Sequence, residues 1–408
     1  MTGSGTAGAA GSGAAGLVHG MGKELVEPDW SPLTTDEVRA VLGYYPASDL
    51  GGPPAEAVVA WRSPRPMSAA GLVRWPGDGH GDGNDGRSLF VKRHDPRVRT
   101  AGQLTAEHDF IAYLRGSGGP IPAVLRTRRG PTAVSFGGSV YEIHQAAAGA
   151  DRYRDAVSWS PFRTLGDAYA AGSALARLHR AAVGFSRPGR PQAVLVATCE
   201  VVTSRDPVAA VAGMLRERPG LARYLGRRGW AGDLARYHVP VIGRAAPRLA
   251  PLPRQWGHGD WHPSNLTWSS AAGTGRVAGV FDFGLANRTF AVHDLATALE
   301  RSTVAWLDLA ETGHASADTE AIGALLDGYE SVRPLSRDEA AALPEVLPVV
   351  HLEYALSEIE YFADVVAAPG LADLAYDGYL VGHTRWFQGA EGSAVTEYLR
   401  RHLGRRRD

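Results

Sequence analysis

Residues 256–268 read W-G-H-G-D-W-H-P-S-N-L-T-W, and residues 277–301 read V-A-G-V-F-D-F-G-L-A-N-R-T-F-A-V-H-D-L-A-T-A-L-E-R. Asp260 and Asn265 lie five residues apart on a polar loop. Asp282 follows the short apolar run Val277 to Phe281, and Asp294 opens a helical pattern twelve residues later. In phosphoryl transfer from a metal–nucleotide complex, one carboxylate accepts the proton of the attacking hydroxyl. An amide oxygen and a second carboxylate hold Mg²⁺. The order Asp260, Asn265, Asp282 suits that division. Mg²⁺ takes hard oxygen ligands and keeps most of its waters, so one amide and one carboxylate are sufficient from the protein. A polar loop followed by a helix cap would account for any one of these residues, but not for their joint spacing.

The five-residue step from Asp260 to Asn265 and the literal D-F-G at 282–284 match the spacing of kinase catalytic and metal loops. His258 to Leu266 resembles the H-G-D-x-H-x-x-N-[LI] loop of the aminoglycoside phosphotransferase and choline-kinase-like small-molecule kinases. Phe281 to Ala296 is similar to that family's second signature. The likeness runs from about Ser88 to the C-terminus, and its nearest flavour includes homoserine-kinase-like enzymes. It implies a two-lobed, protein-kinase-like α+β fold with ATP as co-substrate, GTP being left open. It also implies that Asp294 steadies the catalytic loop.

With 408 residues, 44% apolar and 21% charged, the chain has the composition of an ordinary globular protein of two or three sub-domains. A formal net charge of −1 gives no case for nucleic acid, so the basic tail Arg400 to Arg407 reads as a solvated helix end. The lone Cys199 makes no internal disulfide, which fits a reducing, cytoplasmic setting. No apolar run approaches a membrane span. Residues 1–22, almost all Gly, Ala, Ser and Thr, lack the features of a signal peptide and are expected to be disordered.

An N-lobe over 23–145 and a helical C-lobe over 146–408 are expected. Leu50-Gly51-Gly52-Pro53-Pro54 is a turn that serves equally as a phosphate cover or an ordinary loop. Residues 63–87, ending in G-D-G-H-G-D-G-N-D-G, read as a flexible insertion. They lack the closing Glu of a Ca²⁺ loop. Leu89 to His94 reads as a strand ending in Lys92, whose charge would sit against the nucleotide phosphates with Glu107 of the next helix as its partner. Asp109 competes with Glu107 for that role. The strand Ser139 to Ile143 runs to the position of the family's adenine-binding hinge, so Glu142 and His144 are nominated there by position.

Ser160-Pro161 suggests a helix start, and His179 a bonded core histidine. His258, Asp260 and His262 also spell H-x-D-x-H, a metallohydrolase alternative that needs further ligands elsewhere. His258 is better read as fixing the loop. In the helix His351 to Asp364, the acidic face of Glu353, Glu360 and Asp364 is a candidate for holding a cationic substrate, against a solvated stripe as the alternative. The reading is a kinase transferring phosphate from Mg·ATP to a hydroxyl of a small molecule: aminoglycoside or other antibiotic, amino alcohol or sugar. Asp260 is its base, and Asn265 and Asp282 are its metal ligands. A protein-kinase-like enzyme and a non-catalytic nucleotide-binding module are the rivals.

Overall fold

A computed structural model describes residues 18–19, 24–65, 67–76 and 88–405. Within the expected tail, β1 (Val18–His19) pairs with β2 (Leu25–Val26). The rest of residues 1–22 lies outside the described residues, as does the Gly/Asp-rich run 77–86. Thr34 and Glu37 cap each other's backbone amides and so start α1 (Thr35–Leu42). Its buried Val38, Val41 and Leu42 cover one face of a five-stranded antiparallel sheet. The strands are β3 (Val58–Arg62), β4 (Ala69–Arg74), β5 (Leu89–His94), β6 (Ala133–Phe136) and β7 (Ser139–Gln145), in the order β3-β4-β5-β7-β6. Val73, Val91, Tyr141 and Ile143 meet α1. The alternating positions Phe90, Lys92, His94, Glu142 and His144 point to the other face, because side chains along a strand alternate.

The strand β4 corrects the expected insertion over 63–87. Its period is masked in the sequence by Gly71 and the small Ala69 and Ala70, yet it pairs with both neighbours. In the turn at 50–54, Gly52 packs so closely on Trp75 that a Cβ would lie 2.6 Å from its ring. The Trp75 indole donates to the Pro53 carbonyl. A second capping box, Thr100 with Gln103, starts α2 (Ala101–Gly116), which passes beneath the sheet.

After β7 the chain is mostly helical: α3 (Leu165–Ala182), α4 (Pro207–Glu217), α5 (Pro219–Leu225), α6 (Trp230–Asp233) and α7 (Val239–Leu249). Helix α3 begins at Thr164, which caps the Asp167 amide, and not at Ser160-Pro161. Two short ladders follow, β8 (Arg254–Gly257) with β11 (Asn287–Phe290) and β9 (Leu266–Trp268) with β10 (Val277–Val280). The rest is α8 (Ala291–Thr303), α9 (Trp306–Thr312), α10 (Thr319–Glu330), α11 (Arg337–Val346), α12 (Leu352–Glu360), α13 (Pro369–Leu374), α14 (Gly382–Gln388) and α15 (Ala390–Arg405). The result is a small antiparallel sheet beside a large helical body, the two-lobed α+β architecture expected. Among the described residues no helix is long and apolar enough to cross a membrane.

Helices α3 and α10 approach through glycine. A Cβ on Gly172 would lie 1.9 Å from the Leu325 carbonyl oxygen, and one on Gly328 2.0 Å from that of Tyr169. Gly172→Ala is therefore expected to lower the unfolding free energy by at least the ~1–3 kcal/mol typical of overpacking, read as a lower urea midpoint. Gly243→Ala, on α7 with nothing within 4 Å of the new methyl, should be neutral or stabilising by up to about 1 kcal/mol. Equal midpoints for the two variants would contradict this packing.

Candidate active site

The loop between β8 and β9 is held by one carboxylate. Asp294, in the first turn of α8, accepts hydrogen bonds from the His258 and Gly259 amides, both at 2.7 Å. It also pairs with His179 Nε2 at 2.9 Å, and His179 Nδ1 meets the Tyr329 hydroxyl at 2.7 Å. Burial alone would raise the Asp294 carboxyl, but the bond and charge of His179 outweigh it and hold the group below its ordinary value. Gly259 adopts φ +76°, and a Cβ there would sit 2.4 Å from the Leu285 carbonyl oxygen. His258 donates Nε2–H to the Phe281 carbonyl (2.9 Å), and its Nδ1 accepts from the Asp260 amide (3.2 Å). Burial depresses its pKa, so the ring is a neutral strut. With both ring nitrogens used, His258 has none left for a metal, which removes the H-x-D-x-H alternative.

Asp260 and Asn265 are joined directly. Asn265 Nδ2 donates to the Asp260 carbonyl (2.9 Å) and to its Oδ2 (3.1 Å). This commits the amide nitrogen and leaves the amide oxygen for a cation. Asp260 Oδ1 is ion-paired with the buried Arg301. The Arg301 guanidinium is itself held over Trp159 (4.9 Å) and Tyr354 (4.7 Å). Arg301 was not foreseen, although its place two helical turns beyond Asp294 puts both on one face of α8. Asp282 has φ +62°, a strained region for a non-glycine residue. It directs its carboxylate to Lys92 Nζ at 2.8 Å. Burial opposes ionisation of Asp282, but the Lys92 charge prevails and holds the carboxyl at about 2. Burial likewise opposes the Lys92 ammonium, yet Asp282 and Glu142 hold its pKa above the ordinary value.

Two cavities meet here. One runs past Phe90, His144, Gln145, Ala146 and Phe281; the other past Val157, Trp159, Asp260, Tyr354 and Glu358. Lys92, Asn265 and Asp282 line both, as does Arg65. Arg65 belongs to the β3–β4 hairpin, which roofs the first cavity with Ser63, Pro64 and Ser68. The sequence offered little sign of this roof, because it is stiffened by proline and contains no glycine.

Several expected pairings differ. Lys92 bonds Asp282 and not Glu107, whose nearest cation is Arg190 at 3.7 Å. The arginine, bonded also to the Gly284 carbonyl, takes the partner that Lys92 was assigned. Asp109 points away to an ion pair with Arg187. Glu142 and His144 do not mark a hinge by side chain. The Glu142 backbone lies in the ladder between Lys92 and Ala133, so of the two only His144 lines the cavity that continues past Gln145.

The acidic face of α12 is structural. Glu353 accepts from Thr198 and from the Val201 amide, Glu360 bonds Arg218 at 2.5 Å, and Asp364 pairs with Arg223. None of the three lines either cavity. The adjacent stripe does: Tyr354, Glu358 and Phe362. Glu358 was overlooked. Among the described residues its Oε2 has no hydrogen-bond partner, and burial pushes its pKa up to about 8. Cys199 is buried and its thiol pKa is raised by that burial, which leaves it unreactive.

The sequence pattern of the phosphotransferase enzyme family matches residues 80–335. A homoserine kinase of Gluconobacter oxydans is 30% identical over 190 residues, 46% of this chain and 51% of that one. A homoserine kinase of Nitrobacter winogradskyi is 28% identical over 282 residues, covering 69% and 74% of the two chains. The chain thus spans about half the length of the first of these relatives. The crystal structure of an aminoglycoside phosphotransferase from Alicyclobacillus acidocaldarius superposes with a TM-score of 0.49 at 16% identity, over 92% of this chain and 98% of that one. With the family pattern matched across more than half of its length, the chain belongs to the phosphotransferase enzyme family.

Proposed function

We propose that the protein transfers the γ-phosphoryl group of Mg·ATP to a hydroxyl of a small molecule carrying an ammonium group, an amino alcohol or aminosugar. The observation that supports this most directly is how the residues divide between the two cavities. Asp260 lines only the acceptor side, the strand end at Gln145 and Ala146 only the nucleotide side, and Lys92, Asn265 and Asp282 the wall common to both. A transferring phosphoryl group would pass across such a wall, with the attacking hydroxyl oxygen and the leaving β–γ bridging oxygen roughly in line.

In this reading the adenine lies along Gln145 to Ala147, and Lys92 and Arg65 neutralise phosphate oxygens. The donor set of one amide oxygen and one ionised carboxylate fits Mg²⁺. When bound, the ion would neutralise charge on the β- and γ-oxygens. Asp260 Oδ2 receives the proton of the acceptor hydroxyl, while Arg301 on Oδ1 fixes the carboxylate's orientation. On the acceptor side, Glu358 offers a carboxylate among Trp159, Tyr354 and Phe362, a setting suited to an organic cation. The rival protein-kinase reading loses its footing because β11 pairs with β8 immediately after the D-F-G, leaving no long segment to seat a peptide.

An ATP-consumption assay over homoserine, ethanolamine-type alcohols, aminoglycosides and uncharged sugars tests the reading. Turnover should appear with an ammonium-bearing alcohol and fall by ~10²–10⁴ in Asp260→Asn. Acceptor-dependent turnover confined to uncharged sugars, or none across the panel, would sink it.

Glu358 gives a pH signature. Cation binding needs the ionised carboxylate, and burial raises its pKa from 4.5 to about 8. The acceptor kcat/KM should therefore climb about tenfold per pH unit and level off near pH 8. Glu358→Gln should abolish that slope and raise the acceptor KM, leaving the KM for ATP unchanged. The same shift acts on stability. Between its unfolded and folded pKa values the native state holds the extra proton, so stability contributed below pH 4.5 is lost as pH rises towards 8. Glu358→Gln should flatten that decline in melting temperature. A wild-type profile without slope would reject the assignment of Glu358.

A further inference from the structure

We propose that the inner face of the N-lobe sheet carries a second cation site, formed by His108, Glu142 and His144, for a divalent transition metal such as Zn²⁺. Glu142 Oε2 meets His108 Nε2 at 2.6 Å and His144 Nε2 at 2.9 Å. Among the described residues, this is one of two groups whose donor atoms all lie within 4.8 Å of one another. The other Glu142 oxygen is held by His94 Nε2 at 2.9 Å. Three imidazoles therefore converge on one buried carboxylate, on a face where simple packing would call for the apolar residues found next to it, Leu104 and Val140.

The chemistry selects the ion. Two imidazole nitrogens and a carboxylate suit Zn²⁺ and neighbouring transition metals, whereas Mg²⁺ prefers an all-oxygen shell. Tetrahedral Zn²⁺ bonds of about 2.0–2.1 Å place neighbouring donors roughly 3.3 Å apart. The two spacings to Glu142 Oε2, 2.6 and 2.9 Å, require an opening of only about half an ångström to admit the ion. The support that metal-bound histidines need is also in place. His108 Nδ1 lies 2.7 Å from the Thr132 hydroxyl, which can accept from that nitrogen once Nε2 binds metal. Three protein donors leave one position for water. Access exists as well, since His144 lines the nucleotide cavity and His94 and Glu142 the acceptor cavity.

The rival cluster, Glu300, His351 and His383, is buried throughout and closed by Trp306 stacked 3.5 Å from His383. None of its three residues lines either cavity. A metal at the N-lobe site would tie α2 to β7 one residue away from Glu107 and across the ladder from Lys92.

The test is calorimetric titration of the full chain with ZnCl₂ in Mg²⁺-containing buffer without nucleotide, with metal analysis after dialysis. Because neither nucleotide nor acceptor takes part, failure here is separate from failure of the phosphotransferase reading. One equivalent of Zn²⁺ should bind and raise the melting temperature. His108→Asn and His144→Asn should each weaken it at least tenfold. Glu142→Gln, which keeps size and much of the hydrogen bonding, should weaken it too while circular dichroism stays unchanged. Co²⁺ should show the visible absorption of a four-coordinate site, and that absorption should be lost in His144→Asn. No Zn²⁺ uptake, uptake indifferent to His144→Asn and Glu142→Gln, or uptake lost only in His383→Asn would each overturn the proposal.

Discussion

The Asp294 carboxylate is the constraint on which the site depends. It is buried, and a buried carboxylate is tolerated only when its oxygens are fully engaged. The His258 and Gly259 amides and the His179 ring engage them, drawing β8, the catalytic loop, α3 and α8 onto one point. The backbone has to comply. A Cβ on Gly257 would lie 2.5 Å from Asp294 Oδ2, and Gly259 must turn left-handed. With the loop so fixed, Asp260 emerges facing Arg301, which the same helix supplies two turns later.

The loop around Asp282 is determined with similar redundancy. Asp282 occupies a backbone region that costs on the order of 1–3 kcal/mol. It is flanked by the His258 bond to the Phe281 carbonyl and by Arg99 and Arg190 bonds to the Gly284 carbonyl. Lys92 completes the arrangement from the other lobe. Sheet and helical body are therefore joined electrostatically at the point where the two cavities open into each other. Asp282 is thus a strained carboxylate whose position is fixed from three sides.

Much of this was legible because motif spacing encodes chemistry that tolerates little variation. Asp260, Asn265 and Asp282 stood out by the intervals between them and Asp294 by the family resemblance, while His258 as a strut of the loop and His179 as a bonded core histidine are as expected. What the sequence concealed follows from context. On α12 the amphipathic reading assumed one buried face, but all nine residues of the helix are buried. Charge therefore could not distinguish Glu353 and Glu360, which satisfy neighbours in the fold, from Glu358, which reaches the cavity. Arg65 was hidden in a proline-containing hairpin without the glycines that usually announce a phosphate cover. Glu107 was assigned to Lys92 by analogy, and Arg190, from a distant loop, claimed it.

In the proposed mechanism Asp260, on the acceptor cavity, and Asp282, in the wall common to both cavities, do different work. Nucleotide titration of the Asn variants with and without Mg²⁺ tests it most directly. Asp260→Asn should bind Mg·ATP as the wild type does, since that residue touches only the acceptor cavity. Asp282→Asn should lose most of the Mg²⁺-dependent gain in nucleotide affinity, because the charged oxygen ligand is gone. Identical Mg²⁺ dependence in the two variants, or a gain lost in Asp260→Asn and kept in Asp282→Asn, would contradict the account.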